Sequence, residues 1–261
     1  MILFPPAKVN LGLNVLHKRD DGYHEIKSCM AEIPLCDVLE ILPSDSFRFL
    51  QTGLTVDGDQ ESNLCVKAFR LMEDRYGIGA VYMHLRKIIP MGAGLGGGSS
   101  DATYVLLGLN DLFELNLDDA TLESLASELG SDCAFFVKGG VQLSEGRGEV
   151  LTPLDMNLKG FHLKLVYPAL HIGTGEAYGS VHFESDVSGY EKLINKDFSG
   201  LVNSFEEHAF SKFPELSGIK QSLLDEGAFF AAMSGSGSSV FGLFAKKPKD
   251  AGEENVWVLE L

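Results

Sequence analysis

The sequence predicts a two-domain α+β protein, on three observations. Its 261 residues, 45% of them hydrophobic, can fill ordinary cores, and a domain usually takes roughly 100–200 residues. Strand-like and helix-like segments mix without a regular βαβ alternation, which favours α+β over a doubly wound sheet. The pattern breaks around residues 151–159, at Pro153 and a short polar stretch, before a strong strand over 161–167. The boundary is placed there, giving domains over residues 1–153 and 154–261.

Taken in order, residues 9–33 read as two extended runs around Asp20-Asp21-Gly22, a hairpin signal, with Tyr23 and His24 just beyond the bend. Strands follow over 38–42 and 47–50. Leu64, Ala68, Leu71 and Met72 have the 3.6-residue period of a half-buried helix over 63–76, stopped at Gly77. Residues 81–85 return to strand. A glycine-rich loop leads into a helix over 102–115, and a further helix over 117–129 ends at Gly130. The aromatic tail of 131–136 is expected to be buried, and 139–150 to form a hairpin. In the second half, a short helix starts at Thr174, helices fall within 202–213 and 216–226, and strands cover 229–233, 240–245 and 256–261.

Lys and Arg number 21 against 37 Asp and Glu, a formal charge of -16. Such a surface repels polyanions, so no nucleic-acid partner is expected. Small anionic ligands stay open, because backbone N–H groups and a few local lysines can bind phosphate inside an acidic protein. Cys29, Cys36, Cys65 and Cys133 show neither a C-x-x-C pair nor zinc-finger spacing, so buried thiols are expected. No stretch approaches the ~18 apolar residues of a membrane span, and the first residues lack signal-peptide order. A cytoplasmic protein with no membrane partner is the expectation.

Gly92, Gly94, Gly96, Gly97 and Gly98 put five glycines into seven residues. They open backbone angles closed to other residues and let main-chain N–H groups approach a ligand, phosphate above all. Ser99, Ser100 and Asp101 stand where the helix is expected to begin, and one of them could simply cap it. Capping does not explain so many glycines. A Walker A loop needs a Lys after its last Gly, yet no Lys occurs between Lys87 and Lys138. Gly92, Gly94 and Gly97 do match G-x-G-x-x-G, but no βαβ series surrounds them and Glu114 falls at a helix end. Protein-kinase triplets H-R-D and D-F-G are absent.

The segment Pro90-Met91-Gly92-Ala93-Gly94-Leu95-Gly96-Gly97-Gly98-Ser99-Ser100-Asp101-Ala102 resembles the phosphate loop of the GHMP kinases, enzymes that phosphorylate small alcohols. Pro6-Ala7-Lys8-Val9-Asn10-Leu11 is similar to that superfamily's first motif, and 233–241, with Ser234-Gly235-Ser236-Gly237-Ser238-Ser239, to its third. Three motifs in the family's order span nearly the whole chain. Arg19-Asp20-Asp21-Gly22-Tyr23-His24, Gly130-Ser131-Asp132, 145–149 and 174–178 narrow the likeness to members acting on a cytidylyl diphosphate alcohol. Thr103 departs from the pattern, where a second Ala is common, as does Cys133-Ala134, where Val-Pro is usual; the C-terminal end is somewhat short.

The resemblance implies a GHMP-kinase fold, with an N-terminal α+β domain like ribosomal protein S5 domain 2 and a ferredoxin-like C-terminal α+β domain. It implies transfer of the γ-phosphoryl group of ATP to the 2-hydroxyl of a methylerythritol unit linked to cytidine diphosphate. Asp132 would be the base, and Lys8 would place a positive charge where negative charge develops. Asn10, on the same strand face as Lys8, would bond to the substrate or to that pair. Tyr23 and Tyr178 would stack on the two faces of a cytosine, with His24 bonding its edge. Thr174 would bond a ligand hydroxyl or serve as a helix N-cap. The segment from Pro90 to Ser100 would hold ATP, its purine near residues 63–67 or Lys87.

Mg2+ would bridge the phosphate oxygens, its protein ligands unassigned, with Ser100 and Asp101 as candidates. A monomer or weak homodimer is expected. Two rivals remain: a family kinase of another alcohol, and a non-catalytic nucleotide sensor of the same fold. A dinucleotide-dependent oxidoreductase using Gly92, Gly94 and Gly97 is a third, separable by whether NAD or ATP raises the melting temperature.

Overall fold

In the computed structural model, residues 1–55, 59–249 and 252–261 are described. The strands are β1 (Ile2–Leu3), β2 (Pro6–Lys18), β3 (His24–Cys36), β4 (Val38–Pro43), β5 (Arg48–Gly53), β6 (Val81–Lys87), β7 (Val141–Gly146), β8 (Val150–Pro153), β9 (His162–Val166), β10 (Phe230–Met233), β11 (Val240–Phe244) and β12 (Val256–Glu260). The helices are α1 (Leu64–Tyr76), α2 (Gly97–Leu112), α3 (Asp119–Leu129), α4 (Phe135–Lys138), α5 (Thr174–Gly179), α6 (Gly189–Lys192), α7 (Glu206–Lys212) and α8 (Pro214–Asp225).

Two compact units emerge. The first comprises Met1–Ala7, Leu35–Met91 and Gly96–Gly139, the second Lys8–Pro34, Gly92–Leu95 and Gly140–Leu261. These units do not follow the division expected at residues 153 and 154. Strand pairing is the reason: β3 lies antiparallel to β7, from Ile26 opposite Gly146 to Ala31 opposite Val141. The N-terminal hairpin therefore belongs with chain that follows Gly140, a link invisible to a boundary read along the sequence.

In the first unit the sheet order is β1-β4-β6-β5, with β4 antiparallel and β5 parallel to β6. Along β6 the side chains of Val81, Met83, Leu85 and Lys87 are buried, the two-residue period of a half-buried strand. Lys87 thus occupies a core position. Phe69 and Met72 of α1 and Val105, Leu106 and Leu109 of α2 complete the core. Asn63 caps α1 by accepting from the Cys65 N–H at 2.9 Å, and Gly77 ends it. Asp118 caps α3, so that helix starts two residues later than expected.

The second unit holds two sheets, β2-β3-β7-β8 and the antiparallel β10-β11-β9-β12. Leu13, Val15, Ile172, Phe205, Leu216, Met233, Val240 and Phe244 form one core cluster. The Asp20-Asp21-Gly22 bend separates β2 from β3 as expected, whereas the second hairpin turns at 147–149 and runs on to Pro153.

Helix α2 departs most from expectation. It begins at Gly97, not at Ala102, after Gly96 takes a left-handed conformation with φ of 68°. Glycine is a poor helix former, by about 1 kcal/mol relative to Ala. Packing decides instead: a Cβ on Gly97 would meet Ile89 Cγ2 at 2.8 Å and Lys87 Nζ at 2.9 Å. Ser99 and Ser100 consequently lie inside the first turn, with Asp101 directly after it, and no side chain caps the helix.

Candidate active site

Lys8 and Asn10 sit two residues apart on β2, so both point to the same face, and both are buried. The Lys8 ammonium donates to Asn10 Oδ1 at 2.7 Å and to the Gly94 carbonyl at 3.1 Å. Asn10 Nδ2 donates to Ser28 Oγ at 2.8 Å, and Ser28 Oγ donates in turn to the Gly12 carbonyl at 2.6 Å. These bonds orient the amide with its oxygen toward the ammonium.

The third motif completes this network. Ser234 Oγ accepts from the Asn10 N–H at 3.2 Å and donates to the Gly94 carbonyl at 2.8 Å, while the Ser239 N–H reaches the Ala93 carbonyl at 3.2 Å. The Lys8 N–H bonds the Leu95 carbonyl at 2.9 Å. Gly94 has φ of 78°, and a Cβ there would stand 1.9 Å from the Ser234 carbonyl oxygen. Only glycine admits both the angle and the approach. Three segments far apart in sequence thus converge on Gly94, and Ser28 joins them, unmarked by any local signal.

Around the first hairpin, Tyr23 is 57% exposed and His24 opens β3. The ring stacked on Tyr178 is that of His24, with centroids 4.9 Å apart and planes 24° from parallel. Arg147 instead covers the Tyr23 ring, at 4.8 Å from its centroid. Phe205 meets Tyr178 edge-on at 4.9 Å. Burial first, then the charge of Lys18, holds the His24 imidazole below its usual value, which favours the neutral ring with one donor and one acceptor. Thr174 is the exposed first residue of α5 and Gly173 occupies the cap position, so Thr174 is no N-cap.

In the first unit the uncapped start of α2 presents N–H groups carrying roughly half a positive charge. A cavity of about 610 Å³ adjoins it, lined by Gln51, Asn63, Cys65, Lys87, Gly98 and Asp101 among others. Both regions considered for the purine, 63–67 and Lys87, face this one cavity. Lys87 is ion-paired with Asp37, and with Asp101 Oδ2 at 2.8 Å, all three side chains buried. Asp37 is a residue that sequence reasoning missed, a lone carboxylate between two strands with no motif around it. Ser100 Oγ and Asp101 Oδ1 are buried without a hydrogen-bond partner.

Asp132 lies half-buried in the turn between α3 and α4, followed by the buried Phe135 and Phe136. Thr103 Oγ1 shares its one proton between the Cys133 carbonyl at 2.8 Å and the Ser99 carbonyl of its own helix at 3.0 Å, and the first of these ties this turn to α2. Burial pushes the Cys133 thiol up to about 11, and Cys29 to about 12, so both are inert at neutral pH. No disulfide joins any of the four cysteines. Among the described residues, no helix is long and apolar enough to cross a membrane.

Residues 63–140 match the GHMP kinases N terminal domain and residues 185–256 the GHMP kinases C terminal. The chain is 44% identical to the 4-diphosphocytidyl-2-C-methyl-D-erythritol kinase of Azobacteroides pseudotrichonymphae, over 98% of this chain and 97% of that protein. It is also 44% identical to the enzyme of that name from Bacteroides fragilis, covering 95% of this chain and 94% of that protein. A crystal structure of 4-(cytidine 5'-diphospho)-2C-methyl-D-erythritol kinase superposes with a TM-score of 0.81 at 38% identity, covering 93% of this chain and 90% of that one. L. major mevalonate kinase, at 19% identity and a TM-score of 0.74, covering 100% of this chain and 96% of that one, shares the fold.

Proposed function

Since the chain belongs to the GHMP kinase family, we propose that it transfers the γ-phosphoryl group of ATP to the 2-hydroxyl of 4-diphosphocytidyl-2-C-methyl-D-erythritol. The products are the 2-phosphate and ADP, in isoprenoid precursor synthesis by the non-mevalonate route. The observation that carries this reading is the network of Lys8, Asn10, Ser234 and Gly94, which joins the first and third motifs to the glycine loop. A loop held this firmly suits a reaction in which the protein mainly positions its partners and neutralises charge.

In this reading the backbone from Pro90 to Ser100 holds the ATP phosphates, helped by the open N–H groups of α2. The cavity beside Asn63, Cys65 and Lys87 receives the adenine. Asp132 accepts the proton of the attacking hydroxyl as the new P–O bond forms and the bond to ADP breaks. Lys8, oriented by Asn10, faces the negative charge that develops. His24 bonds the cytosine edge, while Tyr23 and Tyr178 supply aromatic faces and Thr174 an exposed hydroxyl.

Mg2+ fits as an ion held chiefly by phosphate oxygens and water. Among the described residues no group of three His, Cys, Asp or Glu could hold a metal ion, and Asp101 Oδ2 is engaged by Lys87. Ser100, with its unpartnered Oγ, is the residue that would hold it. When bound, Mg2+ neutralises phosphate charge. A cytoplasmic monomer or weak homodimer completes the proposal.

The test is ADP release with Mg-ATP and a panel of the cytidylyl alcohol, its uncytidylated phosphate, mevalonate, homoserine and galactose, for the native protein and Asp132→Ala. Turnover of the cytidylyl compound alone, abolished by the substitution, is expected. Turnover of another alcohol would sink the substrate assignment, and tight ATP binding without turnover of any would favour a sensor.

A further inference from the structure

Two carboxylates and one ammonium lie buried where β6 ends and α2 begins. Lys87 continues the core-facing row of β6, where the period calls for an apolar residue. Its ammonium bonds Asp37 and Asp101, and the three side chains are 0–2% exposed. An apolar trio would pack there at no electrostatic penalty, because buried ions lose their hydration before pairing recovers any of it. Stability alone therefore does not account for the cluster.

Its geometry does. Asp37 Oδ1 accepts from the N–H of Ile88 and of Ile89, the latter at 2.9 Å, so Asp37 holds the chain just as it leaves β6. Those two residues lead directly into Pro90 and the glycine loop. Asp101 is the fifth residue of α2, just past the turn by which the chain comes out of that loop. The Lys87 ammonium bridges the two, and it passes so close to Gly97 that a Cβ there would stand 2.9 Å from Nζ. One cation thus closes the entering and leaving stems of the loop against each other.

We propose that Asp37 and Lys87 are positioning residues for the phosphate loop: Asp37–Lys87–Asp101 is a clamp on its stems that sets the aim of the first N–H groups of α2 toward the ATP phosphates. The inference rests on the reading that residues 90–100 bind phosphate. Asp37 itself touches no reacting atom. Its carboxylate acts through Lys87 and two backbone N–H groups.

Asp37→Asn is the gentlest disruption, because it keeps the side-chain shape, leaves the Lys87–Asp101 contact in place and turns an amide N–H toward the ammonium. Calorimetric titration with Mg-AMPPNP and with adenosine separates positioning from general damage. Adenosine uses the cavity but not the loop, so the clamp predicts that the ratio of the two affinities falls by about tenfold or more, mostly through AMPPNP. In turnover, KM for ATP rises and kcat falls while KM for the alcohol stays. An unchanged affinity ratio overturns the proposal, as does an equal loss for both ligands, which marks a merely structural role.

Should the variant not fold, hydrogen exchange on the native protein decides: the clamp predicts that the amides of Ile88 and Ile89 exchange with the slowest core amides. Exchange as fast as in surface loops would overturn it. Failure of the native protein to bind Mg-AMPPNP at all would instead strike the phosphate-loop reading, so the two failures are distinguishable.

Discussion

Thr103 Oγ1 donates to the carbonyl of Cys133 at 2.8 Å, a buried bond across 30 residues that joins α2 to the turn carrying Asp132. Both residues stand where the family pattern has others, and the structure brings the two departures together. The same hydroxyl also lies 3.0 Å from the Ser99 carbonyl one turn back in α2, which fixes its rotamer. The turn that carries the candidate base is therefore anchored on α2.

Thr103→Val keeps the shape and removes only the hydroxyl. The Cys133 carbonyl loses its donor, which costs ~1–3 kcal/mol, and Asp132 gains freedom. The expected result is a lower denaturation midpoint with kcat reduced several-fold and KM for ATP little changed. A kcat equal to that of the native protein would separate Asp132 from this anchor.

Glycines of the loop differ sharply in what they tolerate. Gly94→Ala places a Cβ 1.9 Å from the Ser234 carbonyl at a positive φ, so it should destabilise by more than about 2 kcal/mol and abolish turnover. Gly98→Ala meets only Leu64 Cδ1, at 3.8 Å, and should fold with a melting temperature no lower than that of the native protein, since Ala is the better helix former. Thermal scans of both variants check the contrast.

The stack of His24 and Tyr178 predicts a selective effect on the substrate. Tyr178→Ala should raise KM for the cytidylyl alcohol by the ~1–3 kcal/mol that aromatic stacking contributes, roughly 5-fold to 150-fold, with KM for ATP unmoved. Initial-rate kinetics with each substrate varied in turn reads this directly. Equal changes in both constants would count against a base pocket there.

Asp101 makes stability pH-dependent. Burial raises its carboxyl, Lys87 opposes the rise and Asp37 adds to it, leaving it at about 8 against an ordinary 3.8. Across that window the folded protein keeps a proton that the unfolded chain has released, so the stabilisation is complete below the ordinary value and is lost as pH rises through about 8. Urea midpoints of the native protein should therefore fall between about pH 6 and about pH 8.5, and Asp101→Asn should lack that part of the fall. Parallel pH profiles would contradict the assignment.

Much of this protein was legible in its sequence because the signals are local. The 3.6-residue period and Gly77 predicted α1, the Asp20-Asp21-Gly22 bend separated β2 from β3, and the spacing of Lys8 and Asn10 put them on one face, where they bond at 2.7 Å. The glycine loop and its flanking motifs carried the family resemblance, since glycine content reports backbone angles that no other residue adopts.

Tertiary structure decided what depends on residues far apart in the chain. Helix α2 starts at Gly97 because Lys87 and Ile89 leave no room for a side chain there, a packing constraint stronger than glycine's weak helix propensity. The N-terminal hairpin joins the unit of residues after Gly140 because β3 hydrogen-bonds β7. Asp37 acquires its place from Lys87 and Asp101, and Ser234 from Asn10 and Gly94. A lone Asp or Ser carries no periodicity of its own, and its partners are chosen only when burial removes water and obliges every polar group to find one.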